Sequence, residues 1–238
     1  MKKLIVAIYL INYAVSDTCD PVIIGGSDSV YCRCNSTYCD TFDLDLPLSG
    51  LYQTVTSDIS GARFASEVHK IDAARRTTRR SETIINLYNE EQTVRGFGGS
   101  LTDATLVNLF NLTEKARMNA LKTWFGPNGA KFSVVRIPIG GADFSTYPYS
   151  LDDSVNDFQL EEFSLSDIDL NFRLPVMEII KNISPVKVEY LASAWSAPVW
   201  LKNTDYFNGI GKLNGTPGDR YHKTWANYHV KVGVSKIK

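Results

Sequence analysis

Three apolar segments of the chain each end in small or hydrogen-bonding residues and are followed by a helical pattern. They occupy residues 93–103, 132–145 and 186–200. This alternation is typical of a parallel α/β barrel, in which the strand ends form the rim that faces the ligand. Because the series stops after about three repeats, the pattern predicts that residues 92–238 form only the first part of such a barrel.

Capping residues and apolar stripes predict the helices that follow the first segment. Ser100 or Thr102 is placed to cap a helix whose apolar stripe ends at Phe110. Thr113 begins a second helix that reaches Trp124. The Gly-Pro pair directly after this helix is expected to end it.

The remaining barrel elements follow from the same signals. Residues 132–139 are almost continuously apolar, which indicates a parallel strand buried on both faces. Pro175 opens a predicted helix that runs through Ile180, and residues 186–192 form the third strand. Residues 221–232 form a last helix with one apolar side.

The chain before residue 92 has a different pattern. Residues 51–56, 63–71 and 82–88 alternate apolar and polar side chains between turn residues, as half-buried antiparallel strands do. These strands predict part of a β-sandwich over residues 46–91. Residues 17–45 are rich in turn residues and contain all four cysteines, so we expect a disulfide-stapled cap there.

The first 16 residues have the composition of a secretory signal peptide. Lys2 and Lys3 precede an apolar stretch over residues 4–15, and the small side chains of Ala14 and Ser16 suit a signal peptidase. The stretch is too short for a dedicated membrane span, so a short amphipathic anchor is only a minor alternative. The sequence predicts a protein of the secretory pathway, either lysosomal or extracellular.

In an oxidising compartment the four cysteines predict two disulfides. Cys19, Cys32, Cys34 and Cys39 allow three pairings, and all three stay open at this point. A zinc site is less favoured, because no histidine lies among these cysteines. Four Asn-X-Ser/Thr sequons agree with secretion. Their candidate glycosylation sites are Asn35, Asn111, Asn182 and Asn214.

The composition of the chain is that of an ordinary globular protein. The chain has 238 residues, a formal net charge of −1 and 44% hydrophobic residues, which fits a globular protein with a sizeable core and gives no sign of nucleic-acid binding. The basic run at residues 75–80 is predicted to be a solvated hairpin tip rather than a phosphate- or membrane-binding patch. The histidines lack metal-ligand spacing and no Gly-X-Ser-X-Gly elbow occurs, so we predict neither a metal nor a cofactor.

Candidate chemistry lies where the second and third barrel strands end. Asp143 follows a flexible Gly-Gly-Ala segment, and its carboxylate is either an acceptor for ligand hydroxyls or a turn-capping group. Trp195 and Trp200 lie where an indole can stack on the apolar face of a sugar, and one of them is expected to be a core residue instead. Asp103 is expected to stabilise the start of its helix rather than to act in catalysis.

Six segments of the chain carry a specific resemblance to a known family. They are CRCNSTYCDTFD, VRGFGGSLTDA, VVRIPIGGADFS, NDFQL, LASAWSAPVWLK and NGTPGDRYHKTWANYHVK. In this order and spacing, from about Cys19 to Lys231, they resemble the amino-terminal half of the lysosomal glucosylceramidases, the acid β-glucosidases that hydrolyse glucosylceramide. The resemblance implies a retaining glycosidase with a (β/α)8 TIM barrel, and a cap and a sandwich that later sequence completes. It also implies the pairings Cys19–Cys32 and Cys34–Cys39.

The resemblance further assigns roles to four residues at the barrel rim. Asp143 matches an Asp that binds glucose hydroxyls, Trp195 matches a Trp that lines the glucose pocket, and Phe144 matches an aromatic residue beside it. Arg136 matches an Arg beneath the active site that orients the catalytic carboxylates. The implied partners are a glycosphingolipid substrate, a membrane surface and an activator protein.

One departure from the family concerns the reaction itself. Retaining hydrolysis needs one carboxylic acid to protonate the leaving oxygen and one carboxylate to attack the anomeric carbon, about 5 Å apart. The family carries its acid/base Glu in an Asn-Glu-Pro motif after the fourth strand and its nucleophile Glu after the seventh. Every Glu of this chain precedes the end of the third strand, and Asn-Glu-Pro does not occur. We therefore expect an inactive glucosylceramidase fragment that lacks both catalytic residues and folds poorly alone.

Two other functions stay open on the sequence. A non-catalytic secreted protein that binds glucosides or lipids would keep Asp143 and Trp195 and would lose sugar affinity on Trp195→Ala substitution. A structural secreted β-protein would have no sugar affinity. Both alternatives require the isolated chain to fold independently, which a thermal melt can test.

Overall fold

The computed structural model of the chain describes residues 21–23, 30–39, 46–58, 62, 65–71, 86 and 88–237. The chain divides into two compact units, residues 1–34 with 38–85 and residues 35–37 with 86–238. The predicted signal peptide, the basic run at residues 75–80 and Cys19 lie outside the described residues. The finer boundaries proposed for the cap, the sandwich and the barrel stay predictions.

The first unit contains two separate antiparallel strand pairs. β1 (Pro21–Ile23) pairs with β2 (Val30–Cys32), and β3 (Leu51–Thr56) pairs with β4 (Ala65–Lys70). The second pair confirms two of the three predicted antiparallel strands, while most of the third lies outside the described residues. Two strand pairs do not establish a sandwich, which therefore stays a prediction.

One of the two implied disulfides falls within the described residues. A disulfide joins Cys34 to Cys39. The other pairing involves Cys19, which lies outside those residues. A single short loop closed in this way does not by itself establish the predicted cap.

The second unit is built on a three-stranded parallel sheet. β5 (Gly98–Ser100), β6 (Val134–Ile139) and β7 (Glu189–Ala194) follow one another in that order across the sheet, as predicted for the start of a barrel. Among the described residues no further strand pairs with the free side of β5 or β7, so the barrel is not closed. β5 and β6 approach so closely that a Cβ at Gly98 would lie 1.5 Å from the Val134 carbonyl oxygen.

The third strand begins later than the predicted residue 186. Ser184 forms a turn with Val186, because its hydroxyl donates to the Val186 carbonyl at 2.9 Å and accepts the Val186 N–H at 3.3 Å. This turn surrounds Pro185 and keeps the segment out of the sheet until Glu189. The prediction of a strand at this place is confirmed, and its start was wrong.

The first two helices begin at the predicted caps. α1 (Asp103–Asn111) follows Thr102, and α2 (Glu114–Phe125) follows Thr113. Each threonine side-chain oxygen accepts the backbone N–H three residues later, at 3.2 and 3.3 Å. Both helices therefore start where a polar side chain satisfies an otherwise unpaired N–H.

The third helix starts earlier than the predicted Pro175. A wide π-helical turn, Asp169–Arg173, leads directly into α3 (Leu174–Ile183). Ser166 and Asp169 form reciprocal side-chain-to-backbone bonds of 3.2 Å, which satisfy this helix start. The N–H of Leu174 bonds to the Asp169 carbonyl five residues back, and this wider spacing accommodates the proline that follows.

Helices α1 to α3 cover one face of the sheet. The buried side chains of this cluster include Leu106, Leu121, Val135, Ile137, Val176 and Ile180. The last helix, α4 (Arg220–Ile237), has the predicted apolar side and packs on the end of β6 and the following loop. The buried residues of that cluster are Ile139, Leu151, Leu160, Phe163, Tyr228 and Val232. Since side chains alternate along a strand, Arg136 of β6 faces away from these helices.

Candidate functional site

A cation–π contact joins the second and third barrel strands on the side of the sheet that faces away from the helices. The Arg136 guanidinium carbon lies 4.1 Å from the centroid of the Trp195 ring, and Nη2 of Arg136 donates to Ser193 Oγ at 3.2 Å. The two interactions fix the plane of the indole next to a positive charge. Trp195 remains 41% exposed, so part of its ring is free to stack on a ligand.

Asp143 and Phe144 lie on the loop that leaves the carboxyl end of β6. Gly140 starts this loop with a φ of +74°, and a Cβ at that position would come within 2.9 Å of the Tyr149 carbonyl oxygen. Asp143 and Phe144 are both exposed. Because parallel strands end at the same edge of a sheet, this loop and Trp195 share one rim.

The loop after β6 is anchored on the start of α1. Ser145 Oγ accepts the Ala142 N–H at 2.9 Å and donates to Oδ2 of Asp103 at 2.6 Å. The Tyr149 hydroxyl donates to the same Asp103 oxygen at 3.0 Å, and burial raises the pKa of Tyr149 well above its usual value, which keeps this donor protonated. The Phe144 carbonyl accepts a backbone N–H of α1 at 3.0 Å. Asp103 therefore begins its helix, as expected, and also holds the loop.

A buried guanidinium ties Asp103 to the third helix. Arg173 is fully buried and lies between the carboxylates of Asp103, at 2.5 Å, and Asp169. Its Nε also donates to the Leu101 carbonyl at 3.4 Å. The sequence contains one signal for this cluster, the four-residue spacing of Asp169 and Arg173. That spacing equally describes an exposed helical ion pair, so the pattern did not predict burial.

Trp200 is the core member of the tryptophan pair, as one of the two was expected to be. It lies in a 3₁₀ turn, Val199–Leu201, and is 7% exposed. Its indole N–H donates to the Asp152 carbonyl at 3.1 Å, and the ring of Phe158 packs edge-on at 5.2 Å. This packing leaves Trp195 as the rim tryptophan.

Asp152 is a buried carboxylate beside this aromatic cluster. It is 2% exposed; Oδ1 accepts the Ser154 N–H at 3.3 Å, and Oδ2 has no hydrogen-bond partner within the described part of the chain. Burial, together with the nearby charges of Asp153 and Asp157, raises the pKa of Asp152 from 3.8 to about 6, against the opposing charge of Lys231. Below about pH 6 the folded chain therefore holds the proton of Asp152 more tightly than the unfolded chain does.

This shift predicts a pH-dependent stability. A carboxyl whose folded pKa is raised stabilises the fold most below its unfolded pKa, and this contribution is lost as pH rises through about 6. We expect Asp152→Asn, which mimics the neutral acid, to melt about 3–6 °C above the native chain at pH 7.5 and close to it at pH 4. Thermal melts of both chains, with Glu161→Gln as an exposed control, measure this. A difference that does not depend on pH contradicts the prediction.

The candidate glycosylation sites differ in exposure. Asn111 and Asn182 are exposed, and Asn35 is half-buried. Asn214 is half-buried too, and its side-chain nitrogen donates to the Lys202 carbonyl at 3.1 Å. The glycosylation assignments therefore stay predictions, with Asn111 and Asn182 the most accessible of the four.

The described residues contain neither a metal-ligand cluster nor a membrane-spanning helix. Within them, no group of three or more His, Cys, Asp or Glu side chains is arranged to hold a metal ion. None of the helices found there combines the length and apolar character of a membrane span.

Sequence comparisons identify the family to which this chain is similar. Residues 94–235 match the glycosyl hydrolase family 30 TIM-barrel domain. The lysosomal acid glucosylceramidase of Mus musculus is 38% identical over 209 residues, which cover 87% of this chain and 40% of that enzyme. The endo-1,6-β-D-glucanase of Neurospora crassa is 33% identical over 145 residues, 59% of this chain and 29% of the relative. The resemblance inferred from the six sequence segments is confirmed.

Two solved structures are similar in fold. SrfJ from Salmonella typhimurium superposes with a TM-score of 0.66 at 24% identity, over 78% of this chain and 40% of that one. An endo-β-1,6-glucanase superposes with a TM-score of 0.58 at 26% identity, over 79% of this chain and 40% of that one. The chain thus spans about 40% of the length of the glucosylceramidase and of both solved structures.

Proposed function

The chain belongs to glycosyl hydrolase family 30, and we propose that it is a glucosylceramidase-type member whose rim residues form one side of a glucose-binding pocket. The observation that carries this proposal is the contact between Arg136 and Trp195 beside the loop that bears Asp143. A flat indole held by a guanidinium offers its exposed part to the apolar C–H face of a sugar.

The other pocket residues supply polar recognition in this proposal. The exposed Asp143 carboxylate accepts hydrogen bonds from two neighbouring glucose hydroxyls, and Phe144 on the same loop adds apolar contact. Arg136 is already engaged by Trp195 and Ser193, so its role is to fix the ring and to set a positive potential beneath the sugar.

The proposal separates sugar binding from bond cleavage. Retaining hydrolysis requires two carboxyl groups about 5 Å apart across the glycosidic bond. No Glu of this chain follows Glu189, which starts β7 at the end remote from the rim. We therefore propose that this chain binds glucosides and does not hydrolyse them by itself.

The substrate and location follow from the glucosylceramidase relative. A glycosphingolipid with a β-linked glucose is the proposed ligand of the pocket, and the lysosome or the extracellular space is the proposed compartment. Because such a ligand resides in a membrane, contact with a lipid surface belongs to the proposal. The activator protein implied by the sequence resemblance is part of it as well.

The test combines a turnover assay with a binding assay on the purified chain. We expect no release of glucose from glucosylceramide or of fluorophore from a fluorogenic β-glucoside above a mock control. We expect 1-deoxynojirimycin, a cationic glucose analogue, to bind and to change tryptophan fluorescence, and Trp195→Ala to weaken it at least roughly tenfold, which corresponds to about 1.4 kcal/mol.

The controls separate the pocket from the core. Trp200→Phe removes the buried indole and is expected to leave the dissociation constant of the iminosugar within about twofold of native. Turnover by chain free of contaminating enzyme contradicts the separation of binding from cleavage. Equal binding by native and Trp195→Ala chains contradicts the pocket.

A further inference from the structure

The hydroxyl of Ser145 holds the turn that carries Asp143, the residue proposed to bind sugar hydroxyls. Ser145 Oγ accepts the N–H of Ala142 and donates to the carboxylate of Asp103, so one side chain connects the residue before Asp143 to the buried anchor. The Ser145 N–H also bonds to the Ala142 carbonyl at 3.0 Å, which closes a tight turn around Asp143. The exposed carboxylate thus sits on a turn whose two ends are fixed.

The anchor itself is rigid and remote from solvent. Asp103 is 4% exposed, and it bonds to Arg173, which is fully buried and also holds Asp169. These residues belong to α1 and to the helical turn that leads into α3, whose apolar sides form the core against the sheet. The turn around Asp143 is therefore anchored on two core helices rather than on another loop.

We infer that Ser145, acting through the buried Asp103–Arg173 pair, is a positioning residue that holds Asp143 in its ligand-facing place; this rests on the proposed function for the identity of the ligand. Ser145 does not need to touch the sugar. Its hydroxyl fixes the turn before the ligand binds. The binding free energy is therefore not reduced by the entropy cost of ordering this segment. Tyr149, which donates to the same oxygen of Asp103, secures the far end of the loop.

The chain offers a closely matched control for this role. Ser166 Oγ donates to the Asp169 carboxylate at 3.0 Å, as Ser145 Oγ donates to Asp103. Both carboxylates bind the same guanidinium, and both serines are half-buried. Ser145→Ala and Ser166→Ala therefore remove the same chemical group from the two sides of one cluster. Ser166 also hydrogen-bonds the Tyr149 side chain at the far end of the loop, but only Ser145 bonds directly to the turn around Asp143.

The experiment measures amide hydrogen exchange and sugar binding on the full chain at low micromolar concentration. In Ser145→Ala we expect the amides of residues 141–145 to exchange roughly tenfold faster and 1-deoxynojirimycin to bind roughly tenfold more weakly. In Ser166→Ala we expect both quantities to stay within about twofold of native. Ser145→Thr keeps the hydroxyl and is expected to restore both.

Other results would count against the positioning role of Ser145 or against the proposed ligand. Equal exchange in Ser145→Ala and native chains, or equal loss in both alanine variants, overturns the positioning role. If Ser145→Ala does not fold, Tyr149→Phe replaces it, and unchanged exchange at residues 141–149 then overturns the role. If the native chain binds no iminosugar, the proposed ligand is wrong, and the exchange rates alone still decide whether Ser145 holds the turn.

Discussion

Replacing Arg173 by methionine is expected to lower the free energy of unfolding of the second unit by about 3–5 kcal/mol. Methionine fills a similar volume but leaves the carboxylates of Asp103 and Asp169 buried without their counter-ion. Because domains are stable by only about 5–15 kcal/mol, this loss removes a large part of the total. Urea unfolding followed by circular dichroism measures it.

A triple variant separates the cost of unpaired charge from the loss of packing. In Arg173→Met with Asp103→Asn and Asp169→Asn, no buried charge remains in the cluster, and most of the lost stability is expected to return. Mutants in the same network are not additive, so the comparison of the single and triple variants is the informative one. If the single variant costs less than about 1 kcal/mol, the cluster does not stabilise the unit as described.

The elements that the sequence predicted well are those set by local signals. The caps at Thr102 and Thr113 depend on one side chain and one nearby N–H, so no tertiary information is needed to place them. β6 is apolar at every position except Arg136, and such a run is typical of a covered parallel strand.

The elements that the sequence misplaced depend on contacts over short irregular segments. The proline at position 175 suggested the first turn of a helix, whereas the capping pair Ser166 and Asp169 starts the helix earlier and a π turn accommodates the proline. The turn at Ser184 likewise delays β7 through one side-chain hydroxyl. Such bonds compete with regular structure and leave little trace in an apolar pattern.

The candidate site shows the same division. Sequence spacing placed Asp143 and Trp195 at the ends of neighbouring strands, and the parallel register brings those ends to one rim. It could not say which of Trp195 and Trp200 was buried, because both follow the same strand. Nor did it predict the buried cluster of Arg173, since burial of a charge depends on partners about 70 residues away in the chain.

The inner face of the sheet, which carries Arg136 and Trp195, also exposes apolar surface. Leu191 pairs with Arg136 across β6 and β7, so both side chains lie on the face opposite the helices, and Leu191 is 58% exposed. On the same strand the backbone of β7 has no neighbour on its outer side among the described residues. An open strand edge beside exposed apolar side chains is a recognised route to edge-to-edge association.

We therefore expect the isolated chain to self-associate. We expect Leu191→Lys to raise the concentration at which association begins by roughly tenfold. If two copies pair through β7, a lysine at position 191 brings two positive charges together and buries an ammonium group. Both effects cost more free energy than the apolar contact gains. Sedimentation velocity over a concentration series measures the change. Ile210→Lys is the matched control, because Ile210 is 99% exposed and lies outside the sheet. If both lysine variants raise the threshold equally, added charge alone explains the effect, and the edge of β7 is not the surface through which copies of the chain meet.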